Sequence, residues 1–253
     1  LTFCVTVDFT IGQINVVSTS SDRTEAAAKS RTIMLRQLLS VGEWQGVQLD
    51  GSPFKTKHAL SKSLQLQTPH IVQLSSGYAG ILSLDFALDH YDRRKAKAEK
   101  LIHYYAREYQ LDPEILIMYS QSVSNLNFHA ASAYGHTGLM FVHPDLSGRQ
   151  ANNLISGIYR TPTLLELTSP ASNIQLAVSY LSKLHEKYQF VADKKARWAT
   201  VFSAYLWSEM DVDLQFRPHE NLKASKIFYD LVLVPRDVRA VIKQVYRDVV
   251  SSE

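Results

Sequence analysis

The chain has 253 residues, a length that suits one large domain or two small ones and allows a sizeable core without disulfide bonds. Its 45% hydrophobic and 20% charged residues are typical of a globular protein and exclude a disordered or fibrous chain. The single cysteine excludes a disulfide framework and a cysteine-rich zinc site. No glycine-rich phosphate-loop motif occurs in the sequence. The net charge of +3 gives only a weak preference for anionic partners.

The first ninety residues mix strand and helix patterns. Alternating apolar residues predict a half-buried strand at Phe3–Phe9 and a second at Ile14–Val17. Asp22 and Glu25 have capping-box spacing and predict a helix that continues to about Ser40. The remaining predictions are a loop at Val41–His58 and strands at Leu64–Leu66, Ile71–Leu74 and Ile81–Phe86.

From about Tyr91 the apolar spacing changes to that of successive helices. Asp112 before Pro113 predicts a helix start, because the first helical position needs no N–H donor, and Ser169 before Pro170 repeats the pattern. The predicted fold class is therefore α+β, with two domains: a small antiparallel α+β domain at residues 1–90 and a mostly α-helical domain at residues 91–253.

The most informative segment is residues 111–144, LDPEILIMYSQSVSNLNFHAASAYGHTGLMFVHP. It resembles the core of the soluble-lytic-transglycosylase family, which has a lysozyme-like fold and the approximate pattern E-S-x-F-N-P-x-A-V-S, three residues, then A-x-G-L-M-Q. The two patterns align without a gap. The family's two serines, its asparagine and its G-L-M correspond to Ser124, Ser132, Asn127 and Gly138-Leu139-Met140.

Weaker similarity extends beyond this motif. The segment 169–174 resembles the family's D-P-x-x-N-I, and Ala204-Tyr205 resembles the start of its A-Y-N-G-G. The first ninety residues resemble the domain that precedes the catalytic domain in membrane-bound members. The resemblance implies a lysozyme-like domain at residues 91–253 and a function connected with the glycan strand of peptidoglycan.

The resemblance also implies a single catalytic glutamate. This glutamate first protonates the glycosidic oxygen. It then acts as the base while the muramic 6-hydroxyl attacks to give the anhydro product. Both steps require that the pKa of the glutamate is raised, as it is in a partly apolar cleft. The corresponding residue here is Val123, which cannot exchange a proton. No Asp or Glu lies between Glu114 and Asp145, and Glu114 is about 13 Å from Val123 along a helix.

Further family positions have also lost their polar or open character. Phe141 replaces the glutamine after G-L-M, Leu206 replaces the asparagine of A-Y-N-G-G, and Trp207 and Ser208 replace its two glycines. The family's carboxy-terminal tyrosine corresponds to Val241. These exchanges predict a retained scaffold without the catalytic groups.

Two kinds of replacement acid or base remain open. Glu209 follows the altered A-Y segment, although a solvent-facing charge at a helix end is the alternative interpretation. His129 and His136 are of a residue type that titrates in a suitable range, but surface or satisfied polar histidines are the favoured interpretation. We predict no metal and no cofactor, because His185-Glu186 begins the H-E-x-x-H motif but Gln189 occupies the second histidine position.

The residues expected to form the cleft are those that lie in the family segments. They are Tyr119, Ser124, Ser132, Tyr134, Gly138, Met140, Phe141, Tyr205, Leu206 and Trp207. Aromatic faces suit sugar rings, but core packing is the alternative for each aromatic residue, and Trp207 could line the groove or block it. The basic run at residues 92–100 is either a solvated helix face or a contact surface for an anionic polymer or membrane. It lacks the aromatic residues of a nucleic-acid platform, so we predict no nucleic-acid partner.

Three hypotheses follow from these patterns. The first is a catalytically inactive transglycosylase homologue of the cell envelope that binds peptidoglycan glycan or a protein partner. The second is an active enzyme with a displaced acid, and the third is an envelope module that docks proteins without sugar affinity. The resemblance implies a periplasmic location, with outer-membrane association through an anchor upstream of this chain as an open alternative.

Overall fold

The computed structural model describes residues 3–8, 11–40, 57–86, 88–231 and 234–250. The chain divides into two compact units, Leu1–Arg93 and Arg94–Glu253.

The amino-terminal unit contains a four-stranded antiparallel sheet with the order β1-β2-β4-β3. Its elements in chain order are β1 (Phe3–Asp8), β2 (Gln13–Ser20), α1 (Arg23–Ser40), α2 (Lys57–Leu66), β3 (His70–Leu74) and β4 (Gly77–Asp85). The predicted α+β class is therefore confirmed.

The alternation in β2 explains how the sheet acquires a core. Ile14 and Val16 are fully buried and pack in one cluster with Met34 of α1 and Leu82 of β4, whereas the residues between them stay partly exposed. Helix α1 begins where predicted, because Asp22 Oδ1 accepts the backbone N–H of residue 25 at 2.7 Å.

The predicted strand at Leu64–Leu66 is wrong, since these residues form the end of α2. Leu64 is buried in the same core, and a pattern of only three residues cannot by itself distinguish a strand from a buried helical turn. The predicted loop at Val41–His58 is wrong at its end, because Lys57 and His58 belong to α2, and its other residues lie outside the described ranges.

The remainder of the described chain is mostly helical. Its helices are α3 (His90–Glu108), α4 (Pro113–Ser124), α5 (Arg149–Ser156), α6 (Leu164–Thr168), α7 (Pro170–Lys187), α8 (Lys194–Leu206), α9 (Glu209–Phe216), α10 (Ala224–Asp230) and α11 (Arg236–Val245), with π-helical turns at Pro144–Gly148 and Tyr246–Val250. Within the described residues, no helix combines the length and apolar character required to cross a membrane.

Helix α8 is the central helix of the carboxy-terminal unit. Its residues are buried from Trp198 to Leu206. The ring of Phe202 stacks on Tyr119 of α4, with centroids 4.6 Å apart and planes 3° from parallel, and Trp198 stacks on Phe202 at 5.2 Å. This packing fixes α4 beside α8, and the segment that follows α4 contains the motif residues.

Candidate functional site

The loop after α4 has an unusual backbone. Val123 lies partly exposed near the end of α4, and Asn125 caps the helix in the left-handed conformation. Leu126 and Phe141 also have positive φ angles, 57° and 48°. Such angles cost about 1–2 kcal/mol each in residues that carry a Cβ, so packing and hydrogen bonds must hold the loop in place.

Serine hydroxyls of α4 hold part of the G-L-M segment. Ser124 Oγ donates to the carbonyl of Leu139 at 2.7 Å, and Ser120 Oγ donates to the same carbonyl at 3.2 Å. Both serines are buried. Ser124, a predicted cleft residue, therefore supports the loop from inside.

Two tyrosine hydroxyls and one amide hold the next residue. Tyr205 donates to the carbonyl of Met140 at 3.0 Å and Tyr119 donates to it at 3.4 Å. The backbone N–H of Met140 donates to Asn173 Oδ1 at 2.8 Å. Burial raises the pKa of both tyrosines, so these hydroxyls remain protonated donors.

Most of the predicted cleft residues belong to the core. The buried ones are Tyr119, Ser124, Gly138, Met140, Phe141, Tyr205, Leu206 and Trp207. Of the ten, Ser132 and Tyr134 are partly exposed. The aromatic residues of α4 and α8 thus pack in the core rather than line a cleft. Trp207 is only 8% exposed, which leaves little of its ring face for contact with a sugar.

His136 is a buried, satisfied histidine. Its Nε2 lies 2.9 Å from the carbonyl oxygen of Leu206. Because a carbonyl oxygen only accepts hydrogen bonds, Nε2 carries the ring proton. The other ring nitrogen, Nδ1, therefore accepts a hydrogen bond from Ser132 Oγ at 3.1 Å. Burial lowers the pKa of His136 to about 4, so the ring is neutral at pH 7. It stacks on Phe141 with centroids 5.9 Å apart and fills the loop rather than exchanging protons with a ligand.

The other histidines show no metal arrangement. His129 is exposed, and the ring of His185 packs 4.8 Å from that of Trp198. No group of three or more His, Cys, Asp or Glu side chains that could hold a metal ion occurs among the described residues.

Glu209 is held in an ion network at the start of α9. Lys187 Nζ donates to its Oε1 at 2.8 Å, and Lys183 Nζ and Tyr180 OH donate to its Oε2 at 3.2 and 3.0 Å. Its side chain is 25% exposed, so it is not the solvent-facing charge of the alternative interpretation. Burial would raise the pKa of Glu209, but the hydrogen bonds and charges of the two lysines together hold it below its usual range.

We expect Glu209→Gln to lower the free energy of unfolding by about 1 kcal/mol at pH 7, because a paired carboxylate is lost from a partly exposed network. Since the folded-state pKa is lowered, the carboxylate contributes stability above its unfolded pKa and loses it as pH falls through the folded value. Urea titrations at pH 7 and pH 3 measure the difference, which should shrink at pH 3. An equal difference at both pH values would contradict this account.

Glu209 lies in the wall of a cavity of about 470 Å³. The cavity is lined by Asp145, Leu146, Ser147, Gln150, Tyr159, Tyr180, Lys183, Ala204, Ser208, Glu209, Met210, Asp213 and Leu214. Val123 is not among these residues, so the cavity that Glu209 lines does not include the predicted acid position.

A different carboxylate contacts the residue that precedes Val123. Ser122, the neighbour of Val123, donates from Oγ to Asp248 Oδ2 at 2.9 Å, and Gln244 Nε2 donates to the Ser122 carbonyl at 2.8 Å. Asp248 is not among the residues predicted from the sequence. No spacing pattern could find it, because it is 126 residues from Ser122 and meets it only through the packing of the carboxy-terminal helices on α4.

Comparison with known proteins agrees with the motif. The family model "Transglycosylase SLT domain" matches residues 100–228, just over half of the chain. Membrane-bound lytic murein transglycosylase C of Haemophilus influenzae (strain PittGG) is 27% identical over 222 residues, which cover 86% of this chain and 59% of the relative. The protein of the same name from Cronobacter sakazakii is 29% identical over 166 residues, covering 64% of this chain and 46% of that protein.

A solved structure is also similar. An inactive mutant of the lytic transglycosylase Slt from Pseudomonas aeruginosa has a TM-score of 0.46 and 19% identity, covering 60% of this chain and 24% of that one. The chain spans at most about three fifths of the length of these relatives. On the family match, with the ungapped motif at residues 111–144, this chain belongs to the transglycosylase SLT domain family.

Proposed function

We propose that this protein is a catalytically inactive member of its family that binds the glycan strand of peptidoglycan in the cell envelope. The observation that carries the proposal is Val123, an aliphatic residue at the position of the family's acid. A transglycosylase needs one carboxylic acid that both gives and takes a proton, and valine does neither.

Glu209 and Asp248 offer poor replacements for the missing acid. Glu209 is ionised at neutral pH and has three donors on its two oxygens, so it has no proton to give and little freedom to take one. Asp248 is exposed and bound to Ser122. Glu209, surrounded by two lysines and a tyrosine hydroxyl, does not lie in the partly apolar setting that raises the pKa of a general acid.

The cavity beside α9 supports the binding part of the proposal. It has an aromatic side chain at its rim, Tyr159, and a second in its wall, Tyr180. Gln150 and Lys183 add hydrogen-bonding groups of the kind that fix sugar hydroxyls. Its volume of about 470 Å³ lies within the usual range for small-ligand sites.

Purified peptidoglycan sacculi test both parts. We expect the protein to sediment with sacculi and to release no anhydro-muropeptides, measured by turbidity and by chromatography of the supernatant. Clear product release would overturn the inactivity, and Glu209→Gln and Asp248→Asn variants would then identify the displaced acid.

A second candidate function is protein docking without sugar affinity. It is favoured by large apolar side chains exposed around α5 and α6, namely Leu154, Ile155, Ile158, Leu164 and Leu165. The same sedimentation experiment separates the two functions, because a pure protein docker stays in the supernatant.

The location is part of the proposal. The relatives are named membrane-bound lytic murein transglycosylases, and a murein-binding protein must reach the periplasm. We propose a periplasmic location. Fractionation of cells that produce the protein tests this.

A further inference from the structure

Helix α3 carries the whole net positive charge of the chain. It contains six Lys or Arg residues and three Asp or Glu residues, which gives the helix a net charge of +3. The complete chain also has a net charge of +3, so the residues outside α3 are neutral in sum. The positive charge of the protein is therefore concentrated in one helix of 19 residues.

The exposed side of α3 is a row of residues spaced three and four apart, which places them on one face of the helix. This row, the basic row, consists of Lys97, Lys100, Tyr104 and Arg107, and all four residues are exposed. The side chains on the opposite side of the helix are buried. At 1.5 Å per residue the basic row is about 15 Å long, so it presents its charges along a straight line.

The acidic residues of α3 leave the basic row positive. Glu99 pairs with Lys95 at 3.7 Å, and both lie outside the row. The other two acids stand in the first turn of the helix and at its last residue. Within the part of the chain that the structure describes, Lys100 and Arg107 make no ion pair, and Lys97 Nζ lies 6.0 Å from the centroid of an uncharged aromatic ring. The row therefore offers three cations to an anionic partner.

Tyr104 indicates which kind of anionic partner fits the basic row. Its side chain is 64% exposed in the middle of the row, and its ring meets that of Tyr105 edge-on with centroids 5.0 Å apart. A tyrosine has an apolar ring and a polar hydroxyl, which together suit the boundary between lipid headgroups and acyl chains. A soluble hydrophilic polymer would leave this ring in water, whereas a bilayer surface would cover the ring and the cations at the same time.

We infer that the basic row docks the protein on the surface of an anionic phospholipid bilayer. Lys97, Lys100 and Arg107 lie against the lipid phosphates, and Tyr104 enters the headgroup region between them. The contact belongs to the folded helix itself and requires no covalently attached lipid. The inference goes beyond the proposed function and does not depend on it, because no residue of the row lines the cavity beside α9.

Sedimentation of the protein with lipid vesicles tests the inference. The probes are vesicles of phosphatidylglycerol and phosphatidylcholine in equal parts, vesicles of phosphatidylcholine alone, and soluble polyphosphate. We expect binding to the anionic vesicles only. This binding should fall at least about tenfold between about 0.1 M and about 1 M salt, because the Debye length shortens from about 10 Å to about 3 Å.

Variants of the basic row show whether this face makes the contact. Lys97→Gln combined with Lys100→Gln should weaken binding to anionic vesicles about twentyfold, since each cation near an anionic surface is worth about fivefold. Lys223→Gln combined with Lys226→Gln is the matched control. It removes the same charge from two exposed lysines with the same spacing, and it should leave vesicle binding unchanged.

Tyr104→Ser separates a bilayer from a soluble polyanion. The variant keeps all three cations, so it should bind anionic vesicles more weakly than the wild type while any residual affinity for polyphosphate stays the same. Circular dichroism checks that every variant is folded.

Three results would overturn the inference. They are equal binding to charged and uncharged vesicles, equal effects of the two double variants, and binding to polyphosphate without binding to vesicles. None of them affects sedimentation with sacculi, so the proposed function is judged separately.

Discussion

Gly138→Ala is expected to lower the free energy of unfolding of the helical unit by about 3 kcal/mol or more. Gly138 has a φ of 81°, which costs about 1–2 kcal/mol for alanine. An added Cβ would also lie closer than van der Waals contact to Asn173 Nδ2 and to the carbonyl of Leu167. Because the carbonyl belongs to the backbone, the strain cannot be relieved by rotating a side chain.

The clash also disturbs the hydrogen bonds of Asn173. Its amide donates to the carbonyls of Leu167 and Thr137 at 2.9 and 3.0 Å, and its Oδ1 accepts from Met140, so one displaced side chain affects three bonds worth about 1 kcal/mol each. Urea unfolding followed by circular dichroism measures the loss.

Gly157→Ala is the matched control for this change. Gly157 has a similar φ of 71° but open space around the position of a Cβ, so only the backbone strain of about 1–2 kcal/mol should appear. If both variants lose the same free energy of unfolding, the contacts of Gly138 with Asn173 are not what fixes the loop after α4.

Val123→Glu by itself is expected to raise the rate of glycan cleavage less than about tenfold, although a working acid contributes ~10²–10⁴-fold. Val123 is partly exposed, so a glutamate there would be solvated and ionised at neutral pH. Phe141 and Leu206, which stand at the predicted positions of the family's glutamine and asparagine, are both buried, and their side chains cannot hydrogen-bond a carboxyl group.

Release of anhydro-muropeptides from sacculi measures this, with Val123→Gln as the uncharged control of the same size. A triple variant that adds Phe141→Gln and Leu206→Asn should be more active than the single variant. Thermal unfolding of the triple variant checks that it is folded. An acceleration of ~10²–10⁴-fold by Val123→Glu alone would show that the residues at positions 141 and 206 matter less than proposed.

The part of the site that the sequence predicted consists of local motifs. The ungapped match from Ser124 to Met140 predicted the family, which the family model confirms, and the capping residues Asp112 and Asp22 predicted helix starts that the structure contains. These features are encoded within a few residues of one another. A strand at Leu64–Leu66 was predicted wrongly, because two leucines separated by one glutamine are too short a pattern to define a period.

The part that the sequence could not predict depends on contacts between distant residues. Tyr119 and Tyr205 both lie in family segments, yet their hydroxyls meet at the carbonyl of Met140 inside the core. Asp248 reaches Ser122 across 126 residues. No property of an isolated segment distinguishes an aromatic residue that lines a cleft from one that fills the space between two helices.

The sequence by itself determined the family of the chain, and it predicts that valine stands at the position of the family's acid, because residue identity at a motif position is local information. The tertiary structure decided what the other groups can do. It commits Glu209 to Lys183, Lys187 and Tyr180. The pKa and the accessibility of a charged group depend on neighbours that only packing brings together.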